Sequence, residues 1–145
     1  MTEKNFVINS RKISNELPPY IIAEVSANHN GSIVRAKETI LAAKGAGVDA
    51  VKIQTYTPDT MTIEADNPDF YITDGLWMGR SLYDLYSEAY TPFEWHKELF
   101  SYAKKIGITL FSSPFDETAV DLLHDLGTPA YKIASFEIVD LPLIK

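Results

Sequence analysis

The sequence predicts an α/β protein built on a parallel β-sheet, either a doubly wound sheet or part of a (β/α)8 barrel. Strand-like apolar stretches alternate with amphipathic helical stretches in the order β-α-β-α-β-α-β. Helices of about ten to fifteen residues between strands form right-handed crossovers, which place successive strands parallel in one sheet. No glycine-rich phosphate loop follows the first strand, since "AEVSANHNGS" is not G-x-G-x-x-G, and this weakens a nucleotide-binding interpretation.

The first half of the chain opens with a predicted hairpin, "NFVINSRKIS", in which two short alternating stretches flank a turn. "YIIAEV" is the first strand of the sheet, and "SIVRAKETILAAKGAG" is a helix that Gly45 and Gly47 can end. "VDAVKIQ" is the second strand. We divide the chain into a hairpin and lead-in over residues 1–18 and a series of β/α units over residues 19–145.

The second half repeats the helix-strand pattern twice. In "TPFEWHKELFSYAKKIG", Thr91 and Glu94 match a capping box around Pro92 at the first helical position. Gly107 is placed to end that helix, and "ITLFSS" follows as the third strand. The next helix, "DETAVDLLHDLG", has Asp116 available as its N-cap, and "PAYKIAS" is a buried fourth strand.

The connection between the second strand and the next helix is unusually long. It has 36 residues from Thr55 to Tyr90, whereas most connections have about four to six. It is rich in aromatic residues and contains a helix-like segment, "SLYDLYSEA". We interpret it as a lid or an oligomer contact, because exposed loops rarely carry so many aromatic side chains. A loose surface insertion is the alternative.

The composition argues against several classes of partner. Thirteen Lys and Arg against twenty Asp and Glu give a net charge of -7, which disfavours nucleic acid and anionic membranes. The absence of cysteine excludes disulfides and thiolate metal sites. The N-terminus lacks a signal-peptide pattern and no apolar run reaches the length of a membrane helix, so we expect a soluble cytoplasmic protein.

Polar side chains late on each strand predict a site at the carboxyl end of the sheet, where ligands bind in both parallel architectures. Alternation places Glu24 on the first strand, and Lys52 with Gln54 on the second. The remaining candidates belong to the third and fourth strands, and these are Ser112, Ser113, Lys132, Ser135 and Glu137. Lysine is almost never fully buried without a partner, so both lysines need an anion nearby.

Two interpretations of these charged residues remain open. In the first, each lysine pairs with one carboxylate, Glu24 or Glu137, for structural reasons alone. In the second, the lysines and hydroxyls bind a small anion that carries phosphate or carboxylate, and Glu24 acts as a general acid or base. The second interpretation accounts for the whole set, serines included.

The three histidines show no metal-ligand spacing. His96 and His124 lie within predicted helices, where we expect them to pack or to face solvent. His29 directly follows the first strand and is the histidine best placed for function, although a loop-ordering hydrogen bond is the simpler role. Asn28 and Asn30 can serve either turn geometry or a ligand.

Four segments, "IIAEVSANHNGS", "AGVDAVKIQTY", "FSSPFDETAVDLL" and "PAYKIASFEIVDLPLIK", resemble in order the N-terminal half of the sialic acid synthase family. Its members condense phosphoenolpyruvate with an amino-sugar to give a nonulosonic acid. "LWMGRSLYDLYSEAYTPFEWHKELF" and "SSPFD" resemble the pseudaminic acid synthase branch, whose sugar is 2,4-diacetamido-2,4,6-trideoxy-altrose. Neuraminic and legionaminic acid synthases are the nearest alternatives. The resemblance implies the first four β/α units of a (β/α)8 TIM-type barrel, preceded by a short β-hairpin.

The resemblance also implies a role for each candidate residue. Glu24 matches the acid/base carboxylate of the family, and Glu137 matches a carboxylate close to the metal. The positions that match the substrate site are Lys52, Gln54, Ser113, Lys132 and Ser135. Members of the family use a divalent metal, Mn or Mg, and form homodimers in which a small antifreeze-like domain follows the barrel.

This chain is much shorter than a complete member of that family. The family's metal-binding histidines, a further carboxylate and a sugar-contacting arginine of the partner all lie downstream of Lys145. We therefore expect this chain alone to bind metal poorly and to be nearly inactive. The alternative from another class is a catalytically inactive interaction protein that keeps the strand-end residues for folding.

Overall fold

The computed structural model describes residues 6–145, and residues 1–5 of the predicted N-terminal segment lie outside that range. The strands are β1 (Phe6–Ile8), β2 (Arg11–Ile13), β3 (Ile22–Glu24), β4 (Ala50–Thr55) and β5 (Thr109–Pro114). The α-helices are α1 (Ile33–Gly45), α2 (Pro58–Met61), α3 (Leu82–Ala89), α4 (Phe93–Ile106), α5 (Glu117–Asp125) and α6 (Leu141–Ile144). Two 3₁₀ helices cover Pro68–Phe70 and Glu137–Val139. No helix in the described range is long and apolar enough to cross a membrane.

Strands β3, β4 and β5 form one parallel sheet, in the order of the sequence. The register pairs Glu24 of β3 with Lys52 of β4. It also pairs Gln54 of β4 with Ser113 of β5. Helix α1 connects β3 to β4 and helix α4 precedes β5, as the alternating pattern predicts. The parallel α/β fold is thereby confirmed, and so is the N-terminal hairpin, in which β1 and β2 pair antiparallel.

One face of the sheet packs against α1 and α4. This layer is built from alternate strand residues and from residues on the inner faces of the two helices. Five of its members, none more than 4% exposed, are Val51, Ile53, Leu110, Ile40 and Leu99. Because successive strand residues point to opposite faces, the other face of the sheet is left for the predicted site residues.

The helix ends agree only in part with the prediction. Gly107 ends α4 in the left-handed conformation, with φ 73°, and Asp116 caps α5 by accepting a backbone hydrogen bond at 2.9 Å. The prediction of a capping box at Thr91 is wrong, because Pro92 takes the N-cap position of α4 and makes no side-chain cap. The Thr91 hydroxyl is buried and lies 3.4 Å from Nε2 of His29, so a tertiary contact has replaced the local one.

The fourth strand does not form as predicted. A single bridge joins Tyr131 to Ser112 of β5, where Lys132 N donates to the Ser112 carbonyl at 3.1 Å, and the chain then leaves the sheet. Tyr131, Lys132 and Ile133 are exposed, so the prediction of a buried strand is wrong. Within residues 6–145 nothing pairs with the outer side of this segment, and it lacks half of the hydrogen bonds that hold a central strand extended.

The long connection between β4 and α4 is folded against the sheet. It contains α2, a 3₁₀ helix and α3. Helix α3 is the helix predicted in "SLYDLYSEA", and Ser81 caps its N-terminus. Tyr56, directly after β4, makes edge-to-face contacts with Tyr86 of α3 and with Phe115, with ring centroids 5.8 and 5.5 Å apart. The connection therefore covers part of the carboxyl end of the sheet. Its role as a lid or an oligomer contact stays a prediction.

Candidate functional site

Four of the predicted site residues lie together at the carboxyl end of the sheet. Lys52 forms an ion pair with Glu24, and its Nζ donates a hydrogen bond to Oγ of Ser113 at 3.5 Å. The register places Gln54 beside Ser113 on the neighbouring strand. The Lys52 side chain is 12% exposed and that of Glu24 is 43% exposed, so the lysine is largely desolvated while the carboxylate reaches solvent.

Ser26 belongs to the same cluster, although the sequence analysis missed it. Its Oγ donates to Oε1 of Gln54 at 2.9 Å, and its backbone N–H donates to Oε1 of Glu24 at 3.1 Å. Ser26 has φ 46°, in the left-handed region that costs a residue with a Cβ roughly 1–2 kcal/mol. The two hydrogen bonds hold both site residues in place. A serine directly after a strand end is the sequence feature that could have revealed it.

This cluster is suited to a small anion. An oxygen of a phosphate or carboxylate that approaches Lys52 can replace Glu24 as its ion-pair partner, while Ser113 donates a further hydrogen bond. The displaced Glu24 is then a solvent-accessible carboxylate beside the bound anion, where it can accept or return a proton. The pairing of Glu24 with Lys52 that the structural interpretation requires is confirmed, and it is compatible with the functional one.

Ser112 does not belong to this cluster. Its Oγ faces the helical layer and lies 2.6 Å from Oγ1 of Thr55, which lies 2.8 Å from Nε2 of His96. Nδ1 of His96 donates to the carbonyl of Pro92 at 3.0 Å, so Nε2 is the acceptor and the Thr55 hydroxyl is its donor. Since adjacent strand residues point to opposite faces, only Ser113 of the serine pair reaches the site. The prediction that both serines meet at the rim is wrong for Ser112.

Acidification is expected to destabilise the fold through His96. Burial lowers the pKa of His96 below its ordinary value of 6.5, and hydrogen bonding to the Pro92 carbonyl opposes this only in part. Between pH 6.5 and the lower folded pKa the unfolded chain binds more protons than the folded one. The stabilisation that the neutral His96 ring contributes is therefore complete above pH 6.5 and is lost as the pH falls through this window. His96 should contribute up to about 1.4 kcal/mol per pH unit to the fall in the free energy of unfolding, which urea titrations measure.

Two substitutions separate this effect from acid unfolding in general. His96→Gln removes one of two buried titrating rings and should reduce the slope of the unfolding free energy against pH, leaving the part that His29 contributes, even though it also lowers overall stability. His124→Gln, at an exposed position on α5, is the matched control for the loss of a buried histidine ring. An unaltered pH slope in the His96→Gln variant would show that His96 is not the responsible group.

His29 orders the loop after β3, as the simpler of its two predicted roles requires. Its ring is 1% exposed, its Nδ1 accepts from Gly31 N at 3.2 Å, and its Nε2 lies 3.4 Å from Oγ1 of Thr91. Burial lowers the pKa of His29, which favours the neutral ring. Asn28 Nδ2 donates to a backbone carbonyl three residues earlier at 2.8 Å, and Asn30 has φ 48°, so both serve turn geometry.

The structure does not bring Lys132, Ser135 and Glu137 into the cluster. Lys132 and Ser135 are exposed, and the ion pairs found within residues 6–145 do not include Lys132. The bridge at Tyr131 places Lys132, by alternation, on the face of the sheet that carries Ser113. Oε2 of Glu137 is buried without a hydrogen-bond partner. The roles of these three residues stay predictions.

The described residues do not form a metal centre. Residues 6–145 contain no group of three His, Cys, Asp or Glu side chains that could hold a metal ion. His29 and His96 are already engaged in the buried hydrogen bonds described above. The expectation of metal ligands downstream of Lys145 stays a prediction.

A comparison with protein families decides the affiliation of the chain. Residues 39–145, more than half of the sequence, match the model of the NeuB family. The chain belongs to the NeuB family. The resemblance to sialic acid synthases that four sequence segments indicated is thereby confirmed.

Two curated proteins and one solved structure similar to this NeuB chain are much longer than it. The pseudaminic acid synthase of Helicobacter pylori is 53% identical over 128 residues, which are 88% of this chain and 38% of that protein. The N,N'-diacetyllegionaminic acid synthase of Legionella pneumophila is 36% identical over 126 residues, which are 87% of this chain and 35% of that protein. The crystal structure of an N-acetylneuraminic acid synthetase from Leptospira borgpetersenii matches with a TM-score of 0.81 and 25% identity, over 98% of this chain and 45% of that one.

These matches fix the place of the described residues in the larger fold. The NeuB chain spans less than half the length of each of these proteins. Its parallel sheet and helices correspond to the N-terminal part of a TIM-type barrel, so the predicted fold class is confirmed. The carboxyl ends of barrel strands are where catalytic residues of such enzymes lie, which is the position of the Lys52 and Glu24 cluster.

Proposed function

We propose that this NeuB chain forms the phosphoenolpyruvate-binding half of a pseudaminic acid synthase. The observation that carries the proposal is the cluster of Lys52, Glu24 and Ser113 at the carboxyl ends of parallel strands. The identity of 53% to a pseudaminic acid synthase, against 36% to a legionaminic acid synthase over nearly the same share of the chain, favours the pseudaminic branch.

Phosphoenolpyruvate suits the charge of the cluster. It carries about three negative charges in a small volume, so a desolvated lysine and hydroxyl donors are an expected binding solution. Lys52 and Ser113 supply such groups in the described structure. Lys132 and Ser135 add a second cation and hydroxyl in the proposed site, once the segment beside β5 is held in the sheet from both sides.

The proposed reaction forms a carbon–carbon bond and releases phosphate. C3 of phosphoenolpyruvate bonds to the aldehyde carbon of the open-chain sugar, and the aldehyde oxygen takes up a proton to become a hydroxyl. Water adds at C2, and cleavage of the bond between C2 and the bridging oxygen releases inorganic phosphate and leaves a 2-oxo acid. In this proposal Glu24 accepts and returns protons, Glu137 is a second carboxylate of the site, and Gln54 contacts the sugar.

The proposal places other parts of the site outside the described residues. A divalent metal, Mn or Mg, is part of it, with ligands that the resemblance to the family places downstream of Lys145. The full-length enzyme is proposed to act as a homodimer in the cytoplasm. The 145-residue chain alone is expected to have little or no turnover.

Phosphate release tests this function. A chain continued to the length of its relatives should release phosphate from phosphoenolpyruvate with 2,4-diacetamido-2,4,6-trideoxy-altrose. Its kcat/KM should be at least about tenfold lower with the precursors of neuraminic and legionaminic acid. The 145-residue chain, assayed with the same Mn or Mg, is the matched comparison and should release almost no phosphate. Failure of the longer chain with all three sugars would contradict the proposal.

A further inference from the structure

A cavity of about 400 Å³ lies between the strand ends and the long connection. One side is formed by polar groups that follow β3 or end β4, and the other by apolar side chains of the connection. Its polar lining includes Ser26, Asn28 and Gln54, and its apolar lining includes Met61, Trp77 and Leu85. Ser26 and Gln54, joined by the hydrogen bond from Ser26 Oγ to Gln54 Oε1, therefore belong both to this cavity and to the cluster around Lys52.

The cavity lies beyond the anion site in the direction of the strands. Gln54 is two residues further along β4 than Lys52 and on the same face, which corresponds to about 6.6 Å along the strand. A group in the cavity thus belongs to the part of a ligand that is remote from the phosphate. In a condensation at Lys52, that part is the sugar.

The lining of the cavity disfavours a charged ligand group. Among the described residues no lysine or arginine lines it, and its carboxylate, Glu88, is already paired with Arg80 at 2.7 Å. A purely apolar group would leave the polar side unused. Gln54 is half-buried, and its Nε2 can donate to a carbonyl oxygen on the ligand because its Oε1 is the atom engaged by Ser26. The lining suits a neutral group with a carbonyl on one side and a methyl on the other.

Trp77 supplies the apolar side from an ordered turn. Gly79 N donates to the Ile72 carbonyl at 2.8 Å, and Arg80 N donates to the Trp77 carbonyl at 3.0 Å. A bridge between Tyr71 and the residue before α3 closes the same turn. Trp77 is 49% exposed, so it has free surface against which a methyl group can be buried. An amphipathic aromatic side chain is well suited to this contact.

We propose that this cavity binds an acylamino substituent of the sugar, with the acyl carbonyl at Gln54 and the acyl methyl against Trp77. This inference rests on the proposed function, because it takes the sugar of that reaction as the ligand. Trp77 is then a residue that sets substrate specificity: a sugar with a hydroxyl in place of the acylamino group leaves the apolar wall unfilled and the Gln54 amide without its acceptor.

The test compares two sugars on three proteins, each continued to the length of its relatives. The sugars are the diacetamido sugar and its analogue with one acetamido group replaced by hydroxyl. The proteins are the parent, Trp77→Ala and Leu76→Ala, the last a matched control because Leu76 is 87% exposed, adjacent in sequence and outside the cavity. Circular dichroism establishes that each variant is folded, and Trp77→Phe provides a conservative second variant.

Trp77→Ala should lower kcat/KM for the diacetamido sugar by about tenfold or more, change that of the analogue much less, and leave the KM for phosphoenolpyruvate unchanged. Leu76→Ala should behave as the parent, and Trp77→Phe should retain most of the discrimination. An equal loss for both sugars, or no loss, would overturn the proposal, because a merely structural residue does not discriminate between them.

Calorimetry with the same sugars tests the inference by measuring binding, without the need for turnover. The parent should bind the diacetamido sugar more tightly than the analogue, and Trp77→Ala should remove that difference. If the parent releases no phosphate yet binds the acetamido sugar preferentially, the proposed function fails and the cavity assignment stands. If it turns over both sugars and binds them equally, the function stands and the cavity assignment fails.

Discussion

Replacing Lys52 with methionine is expected to lower kcat/KM for phosphoenolpyruvate by about a hundredfold to several thousandfold, chiefly through a higher KM. Lys52 is 12% exposed, and its Nζ lies between Glu24 and Ser113, so it is the described cation best placed to meet the phosphate. Truncating one partner of a buried, hydrogen-bonded charge pair in a complex costs roughly 3–5 kcal/mol of binding free energy, and each 1.4 kcal/mol is about tenfold in affinity. Steady-state kinetics and calorimetry with phosphoenolpyruvate, on a chain continued to the length of its relatives, measure the effect.

Lys105→Met is the matched control for this substitution. Lys105 is exposed near the end of α4, which leads into the opposite end of the sheet, so its loss should leave the KM for phosphoenolpyruvate unchanged. Methionine fills the volume of the lysine stem, and Glu24 is exposed enough to be solvated alone, so the Lys52→Met variant should stay folded. An unchanged KM in that folded variant would assign the lysine to the structural pairing with Glu24 alone.

The residues that cluster at the strand ends could be predicted because the physics of a parallel sheet is periodic. Alternation assigns Glu24, Lys52 and Gln54 to one face, and parallel crossovers bring their strands side by side. The same alternation places Ser112 and Ser113 on opposite faces of the sheet once the bounds of β5 are known. The error at Ser112 arose because both serines stand near the strand end, where a turn can redirect a side chain, and the strand in fact continues to Pro114.

The predictions that failed did so for a different reason, because each of these features depends on contacts between residues remote in sequence. The capping box at Thr91 is locally well formed, but the hydroxyl lies beside His29, 62 residues away. The segment around Lys132 has the pattern of a buried strand, yet burial and extension depend on a neighbour on each side, and the described chain provides only β5. Ser26 was missed because its left-handed backbone is stabilised by Gln54, on another strand.

Replacing Glu24 with glutamine is expected to have the opposite kinetic signature to Lys52→Met. The amide keeps the shape of the side chain and can still accept from Ser26 N, but it cannot accept or return a proton. General acid–base catalysis contributes about a hundredfold to ten-thousandfold, so kcat should fall by that amount. The substitution also frees Lys52 from its carboxylate, and the KM for phosphoenolpyruvate should therefore hold steady or decrease.

Steady-state kinetics of Glu24→Gln beside Glu38→Gln measure this split between kcat and KM. Glu38 is exposed on α1, on the far side of the helical layer, and its substitution should change neither constant. A normal kcat in the Glu24→Gln variant would remove Glu24 from the chemical step and leave it as the ion-pair partner of Lys52. A lower kcat with a raised KM would instead indicate that Glu24 acts by positioning Lys52. The loss of a carboxylate that only transfers protons should not weaken the binding of phosphoenolpyruvate, because a carboxylate repels that anion.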